Sequence, residues 1–257
     1  MSTSQNRRVN RRSFGMTAAC AAAAVALGDA CAFATRASDA SDGRLTARPR
    51  GDATTSLKSG ALGLGTDSDG VVQMPTAPRD GKMPLLLFLH GATQSGAGML
   101  RRIGPAADEA GVVVVAPDSR GTTWDAIRGN FGDDVEFLNR VLDHVFAHVA
   151  VDPARIAIGG FSDGASYALS LGLANGDLSP RVVACSPRFV ISAAVHGRPR
   201  FFVSHGTSDQ ILPIDQCSRV IVPRLKSMGY DVTFREFDGR HELPPDVAHE
   251  AMQWLAH

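Results

Sequence analysis

The chain has 257 residues, 44% of them hydrophobic and 20% charged, with 26 basic and 26 acidic side chains and a formal net charge of zero. That is enough for one well-buried globular domain with little to spare. The balanced charge removes the electrostatic reason to expect nucleic acid or an anionic membrane as partner.

The N-terminus departs from this average. Arg7-Arg8-Val9-Asn10-Arg11-Arg12-Ser13-Phe14-Gly15-Met16 is basic and free of acids, and residues 17–27 form an alanine-rich apolar run. This is a signal-peptide pattern, and Arg11-Arg12-Ser13-Phe14 resembles the twin-arginine export motif. The run falls well short of the roughly 20 apolar residues that span a bilayer. Ala30-Cys31-Ala32 and Ala32-Phe33-Ala34 are both possible cleavage sites. Lipid attachment at Cys20 or Cys31 is disfavoured, because neither follows a Leu-Ala-Gly-type box and Asp29 spoils the second. Residues 1–34 are therefore read as a twin-arginine-type signal peptide, with a periplasmic or extracellular destination and no stable membrane anchor. Of the four cysteines, Cys185 and Cys217 then remain. They read as two buried thiols, with their pairing left open.

Residues 35–68, rich in Ser, Asp, Thr, Gly and Arg, are expected to be a flexible leader. The domain is placed at 69–257. It begins with a short edge strand at 70–74 and a continuous apolar run at 83–89, the pattern of a strand covered on both faces. The spacing predicts a helix over 99–110, a buried strand at 112–116, and a helix over 133–149 with Val135, Leu138, Val141, Leu142 and Val145 as its apolar stripe. A strand at 156–161 and a helix over 166–174 follow. Further strands fall at 182–185, 201–204 and 232–237, with helices over 215–228 and 245–256. This alternation implies an α/β fold with a mainly parallel central sheet and helices on both faces. No insertion is long enough for a large cap domain.

In such sheets reactive groups gather beyond the carboxyl ends of the strands. After 156–161 comes Gly160-Phe161-Ser162-Asp163-Gly164, a match to the nucleophile elbow, in which a serine at positive φ projects its Oγ above the sheet. Any glycine-rich turn can produce this pentapeptide by chance. After 201–204 comes His205-Gly206-Thr207-Ser208-Asp209. Asp209 stands where the acid of a Ser-His-Asp relay belongs, although Asp in such a run is commonly a turn cap. After 232–237 comes Asp238-Gly239-Arg240-His241, and His241 alone would be an ordinary surface histidine. The order Ser162, Asp209, His241, each just past a strand, is hard to reach by accident.

On these residues, together with Leu89-His90-Gly91, Asp133-Asp134-Val135-Glu136-Phe137 and Asp152-Pro153-Ala154-Arg155-Ile156, the chain from about Pro84 to His257 resembles the α/β-hydrolase superfamily of serine esterases. It is most similar to the phospholipase/carboxylesterase and polyhydroxybutyrate-depolymerase-like families. The resemblance implies Ser162 as nucleophile, His241 as base and Asp209 as acid, with the amides of Ala92 and Asp163 as the oxyanion hole. His90 would brace the oxyanion loop. Ala92 stands where a lipase-type His-Gly-Gly-Gly loop has its second glycine, which argues against bulky tertiary-alcohol esters. No cofactor is implied.

Residues 119–128 lack a helical period and are expected to overhang the site. Trp124 and Ile127 would form one substrate wall and Ile211 and Leu212 the other, the competing reading being that Trp124 packs beneath its loop. Asp133-Asp134 is spaced like a helix start, and no cluster of His and carboxylates has metal-ligand spacing. The expected activity is carboxylic-ester hydrolysis on small or exposed substrates. The alternatives are an exported polyhydroxyalkanoate or feruloyl-type esterase and a catalytically silent binding module.

Overall fold

The structure is a computed structural model that describes residues 33–34, 42–65, 68–77, 81–191 and 194–257. The signal peptide expected over 1–34 lies outside these, apart from the strand β1 (Phe33–Ala34), which runs parallel to β8 (Val190–Ile191). The main sheet has eight strands: β2 (Gly60–Ala61), β3 (Val71–Gln73), β4 (Met83–Leu89), β5 (Val113–Ala116), β6 (Val151–Phe161), β7 (Arg181–Cys185), β9 (Arg200–Gly206) and β10 (Val232–Phe237). Their order is β10-β9-β7-β6-β4-β5-β3-β2. Neighbours from β10 to β5 are parallel, whereas β3 runs antiparallel to β5 and β2 antiparallel to β3.

The continuous apolar strands are explained by their two covered faces. Leu85, Leu87 and Leu89 of β4 pack with α3 (Asp133–His148) and part of α4 (Asp163–Ala174). Leu86 and Phe88 pack with α1 (Gly96–Ala110) and α6 (Pro245–Ala256) on the other side. α5 (Ser218–Ser227) joins α4 over β7 and β9. This is the α/β-hydrolase arrangement, with no large cap over the carboxyl edge among the described residues.

Several boundaries differ from expectation, and three of the differences have local reasons. α1 starts at Gly96 because the Ser95 side chain accepts from the Gly98 N–H at 3.2 Å, an N-cap, and it ends at Gly111 with φ 70°. The helix expected over 215–228 is a 3-10 turn (Ile214–Gln216) followed by α5, with the break at Cys217. A short helix α2 (Asp125–Arg128) occupies the loop that carries no helical period.

The leader requires a correction over 42–65. Leu45, Ala47 and Leu62 are buried in the α3-side core. Asn175 accepts from the Leu45 N–H at 2.7 Å, and Asn139 accepts from the Thr46 and Ala47 N–H groups at 2.7 and 3.1 Å. Arg44 and Arg48 both reach Asp177, at 2.7 and 2.9 Å. The segment has no core of its own; it is held by polar side chains distant in sequence. Cys185 and Cys217 are both buried, and burial pushes the Cys185 thiol up to about 11.

Candidate active site

The turn from β6 into α4 places Ser162 at φ 58° and ψ −120°. A non-glycine residue held there is strained by about 1–3 kcal/mol and persists only where its surroundings enforce it. The two flanking glycines are steric necessities. A Cβ on Gly160 would lie 2.4 Å from the Gly164 carbonyl, and one on Gly164 would lie 2.2 Å from Leu89 O. Close approach of the turn to β4 therefore dictates G-x-S-x-G. The Ser162 N–H is anchored to Cys185 O at 2.9 Å.

Ser162 Oγ lies 2.9 Å from His241 Nε2, and His241 Nδ1 lies 2.6 Å from Asp209 Oδ2. The three residues picked out from separate strand ends thus meet in one line. The Asp209 side chain is fully buried and that of His241 is 11% exposed. Asp209 Oδ1 accepts from the Ile211 and Leu212 N–H groups at 2.9 and 2.8 Å, which aims Oδ2 at His241.

Sequence reasoning gave His205 no role, yet it stands directly behind the acid. Its Nε2 is 2.7 Å from Leu212 O and 3.2 Å from Asp209 Oδ2, and its Nδ1 is 2.7 Å from Ser218 Oγ. The carbonyl and carboxylate can only accept, so the proton sits on Nε2 and Nδ1 accepts from the Ser218 hydroxyl. Burial holds the His205 pKa below its ordinary value, consistent with a neutral ring. The break before α5 is what brings Ser218, its first residue, to this ring. The local signal was the histidine at the end of β9, indistinguishable in sequence from a satisfied core histidine.

The Ala92 and Asp163 N–H groups, expected as oxyanion donors, are not hydrogen-bonded among the described residues. Asp163 opens α4, so its N–H has no intrahelical acceptor. Residues 91–94 form a turn closed by Gln94 N–H to Gly91 O at 3.1 Å, with Thr93 at φ 59°. His90 braces it as expected: its Nε2 accepts from the Ser119 N–H at 2.9 Å, which leaves Nδ1 to donate to Gly91 O at 2.7 Å.

The loop at 119–128 does something other than overhang the site. Thr122 O accepts from the Thr93 N–H at 2.7 Å, and the Thr123 hydroxyl donates to Asp163 Oδ2 at 2.8 Å. It thereby ties the Ala92 turn to the start of α4. Its base is a buried polar hub. Asp134 accepts from the Arg120 and Asp125 N–H groups, both at 2.7 Å, while Asp125 accepts from the Tyr167 hydroxyl at 2.8 Å. Burial pushes the Asp134 carboxyl up and the Tyr167 phenol well up.

The substrate walls need correction. Trp124 is fully buried, donates Nε1–H to His90 O at 2.8 Å and stacks on Tyr167; it supports the floor and lines nothing. Ile127 packs onto the same core, and Leu212 is 9% exposed. An apolar side chain in a polar loop finds its lowest free energy under the loop. Ile211, next but one to Asp209, is 70% exposed and remains available to a substrate.

The sequence profile of the phospholipase/carboxylesterase family matches residues 125–257, a stretch that contains Ser162, Asp209 and His241. Over 134 residues the chain is 34% identical to NocK of Nocardia uniformis subsp. tsuyamanensis, a protein provisionally named as an esterase. That alignment spans 48% of this chain and 39% of NocK. Esterase PE8 superposes with a TM-score of 0.59 at 20% identity, over 77% of this chain and 98% of that one. The Bacillus cereus carboxylesterase superposes with a TM-score of 0.57 at 21% identity, over 72% and 92% of the two chains. At those identities the two structures establish the shared fold. The family profile covers more than half of the chain and lies on an α/β-hydrolase sheet, and the chain belongs to the phospholipase/carboxylesterase family of α/β-hydrolases.

Proposed function

We propose that the protein hydrolyses carboxylic esters through an acyl-enzyme on Ser162, with His241 as general base and acid and Asp209 as its orienting carboxylate. The observation that carries this is the hydrogen-bonded line from Ser162 Oγ through His241 to Asp209, at 2.9 and 2.6 Å. Ser162 Oγ attacks the ester carbonyl carbon while its proton passes to His241 Nε2. The resulting oxyanion faces the Ala92 and Asp163 amides, each donor contributing about 3–4 kcal/mol in comparable sites. Collapse expels the alkoxide, which takes the proton back from Nε2 and leaves as the alcohol. Water then attacks the acyl-enzyme with the same proton relay, releasing the acid and restoring Ser162.

Asp209 keeps the His241 proton on Nδ1, so that Nε2 faces the serine as an acceptor, and it stabilises the imidazolium. With no large cap among the described residues, the site favours small or exposed esters. A polymeric or feruloyl-type ester has one observation in its favour, the exposed Ile211 at the mouth. An ester panel that includes a hydroxybutyrate oligomer, a ferulate ester and a phospholipid separates these substrates.

Ser162→Ala is expected to lower ester hydrolysis by at least about 10³–10⁴-fold, because nucleophile and base act as a unit. A fluorophosphonate should label Ser162 and label it more slowly in His241→Ala. Retained turnover in Ser162→Ala, or labelling of a different serine, would remove the proposal.

A further inference from the structure

Beside the nucleophile lies a cavity of about 360 Å³, lined by Gln94, Ser95, Gly98, Met99, Arg101 and Arg102. It borders the site described above. A Cβ on Gly91 would lie 3.2 Å from Ser162 Cβ and 3.5 Å from Gln94 Cδ, so the Gln94 amide edges both the nucleophile and the cavity. The Arg102 guanidinium lies 5.8 Å from the centroid of the Phe161 ring, and that ring lies 4.8 Å from the His241 ring. Arg102 and His241 thus share one aromatic residue, the one preceding Ser162.

Neither arginine is neutralised among the described residues. Arg101 donates only to Ala97 O, at 3.2 Å, and among the described residues neither guanidinium forms an ion pair. Arg44, Arg155, Arg200, Arg219 and Arg235, in contrast, each hold a carboxylate within 3.0 Å. Asp118, near the start of α1, is engaged by the Gly96 N–H at 2.6 Å.

Two adjacent guanidinium forks in a concave polar space suit an oxyanion with several acceptor oxygens, which they can bind bidentately. Chemistry also fixes the side of the ester. His241 must return its proton to the leaving oxygen, so the alcohol lies on the His241 side, and Arg102 and His241 both approach the Phe161 ring.

Resting on the serine-esterase reading, we propose that this cavity is an anion subsite for the alcohol portion of the substrate. It takes a carboxylate or phosphate on the leaving alcohol, with Arg101 and Arg102 as the binding groups and the Gln94 amide at the inner end.

The test measures kcat/KM for matched acetate esters whose alcohols end in a neutral group, a carboxylate or a phosphate, and for a hemisuccinate that carries its charge on the acyl side. The wild type is compared with the Arg101→Gln/Arg102→Gln double variant. The anionic-to-neutral ratio on the alcohol arm is expected to be about 10–100-fold higher in the wild type, the scale of hydrogen bonds to charged groups, and to shrink with added salt. Carboxylate and phosphate arms that differ would identify the natural group and still support the subsite. A ratio equal in the two proteins, or a preference confined to the hemisuccinate, would overturn it. The neutral acetate keeps the two readings apart. Its Ser162-dependent turnover with a flat ratio removes only the subsite, whereas no Ser162-dependent turnover removes the esterase reading itself.

Discussion

Replacing His205 by phenylalanine keeps a ring of similar size and removes both nitrogens, so it isolates the polar support behind Asp209, the proposed catalytic acid. Two buried groups lose their partners, the Ser218 hydroxyl and the Leu212 carbonyl, each now 2.7 Å from a ring nitrogen. A buried polar group left unsatisfied costs about 1–3 kcal/mol, so the pair should cost about 2–6 kcal/mol. That is a large part of the roughly 5–15 kcal/mol that holds a typical domain together. Asp209 also loses the donor 3.2 Å from Oδ2, and its turn loses the tie at Leu212. The rate constant kcat should therefore fall by about 10-fold or more while KM changes little, since the defect acts on proton transfer and not on binding.

The acid dependence of stability gives a second readout. Burial lowers the His205 pKa in the folded state, so the unfolded chain binds the proton more tightly. The stability linked to this group is complete above the ordinary histidine value of about 6.5 and is lost as pH falls from there through the folded value. Urea midpoints from pH 7 down to pH 5 should fall more steeply for the wild type than for His205→Phe, at an unchanged m-value. A variant with the wild-type midpoint and the wild-type acid slope would refute the reasoning.

Thr123→Val removes the hydroxyl that donates to Asp163 Oδ2 at 2.8 Å and leaves the side-chain shape intact; kcat/KM should drop by roughly 3–10-fold, about the net worth of one ordinary hydrogen bond, and Thr123→Ser should restore it. Asp177→Asn releases Arg44 and Arg48, but the carboxylate is 40% exposed, so the loss should be only about 0.2–1 kcal/mol. Limited trypsin digestion should nevertheless cut faster at Arg44 and Arg48. The hydrogen bond from Arg44 holds the Asp177 carboxyl well below the ordinary range, so its contribution is complete above about pH 4 and lost on further acidification, and the variant should show a flatter acid limb. For export, Arg11→Lys with Arg12→Lys should leave precursor in the cytoplasm of a bacterial host, and equal periplasmic recovery of both forms would remove the twin-arginine reading.

What could be read from the sequence follows from where each constraint acts. β4 and β5 were visible because a strand covered on both faces must be apolar at every position. The elbow was visible because the approach of Gly160 and Gly164 to Leu89 excludes a Cβ whatever lies elsewhere. Asp209 and His241 were visible through their place after strands, since a parallel sheet delivers those residues to one edge. The polar hub was not: Asp134 resembles an ordinary acidic helix start, and only the folded chain shows that it is buried and accepts from the residues before it. Leu45 failed for the same reason. A single leucine among polar residues gives no periodicity, and its partner Asn175 lies 130 positions away. Trp124 had two readings that composition could not separate, and the bond from its indole to His90 O decides between them.

Within the proposed site, the groups assigned to the reaction and those assigned to the substrate alternate along the same two arms. On the first arm the proposed oxyanion amide at Ala92 is followed two residues later by Gln94, which edges the cavity. On the second, Asp209 is followed two residues later by the exposed Ile211, whose own N–H donates to the Asp209 carboxylate. The backbone of each arm is pinned, by Thr122 O to Thr93 on one side and by His205 to Leu212 on the other. Side chains at 94 and 211 can therefore change without moving the amide or the carboxylate, because the bonds that hold those groups are made by backbone and by buried residues behind them. Specificity on this scaffold is then set by side chains on fixed arms. The chemistry tolerates such changes until a substitution such as proline at 211 removes the N–H itself.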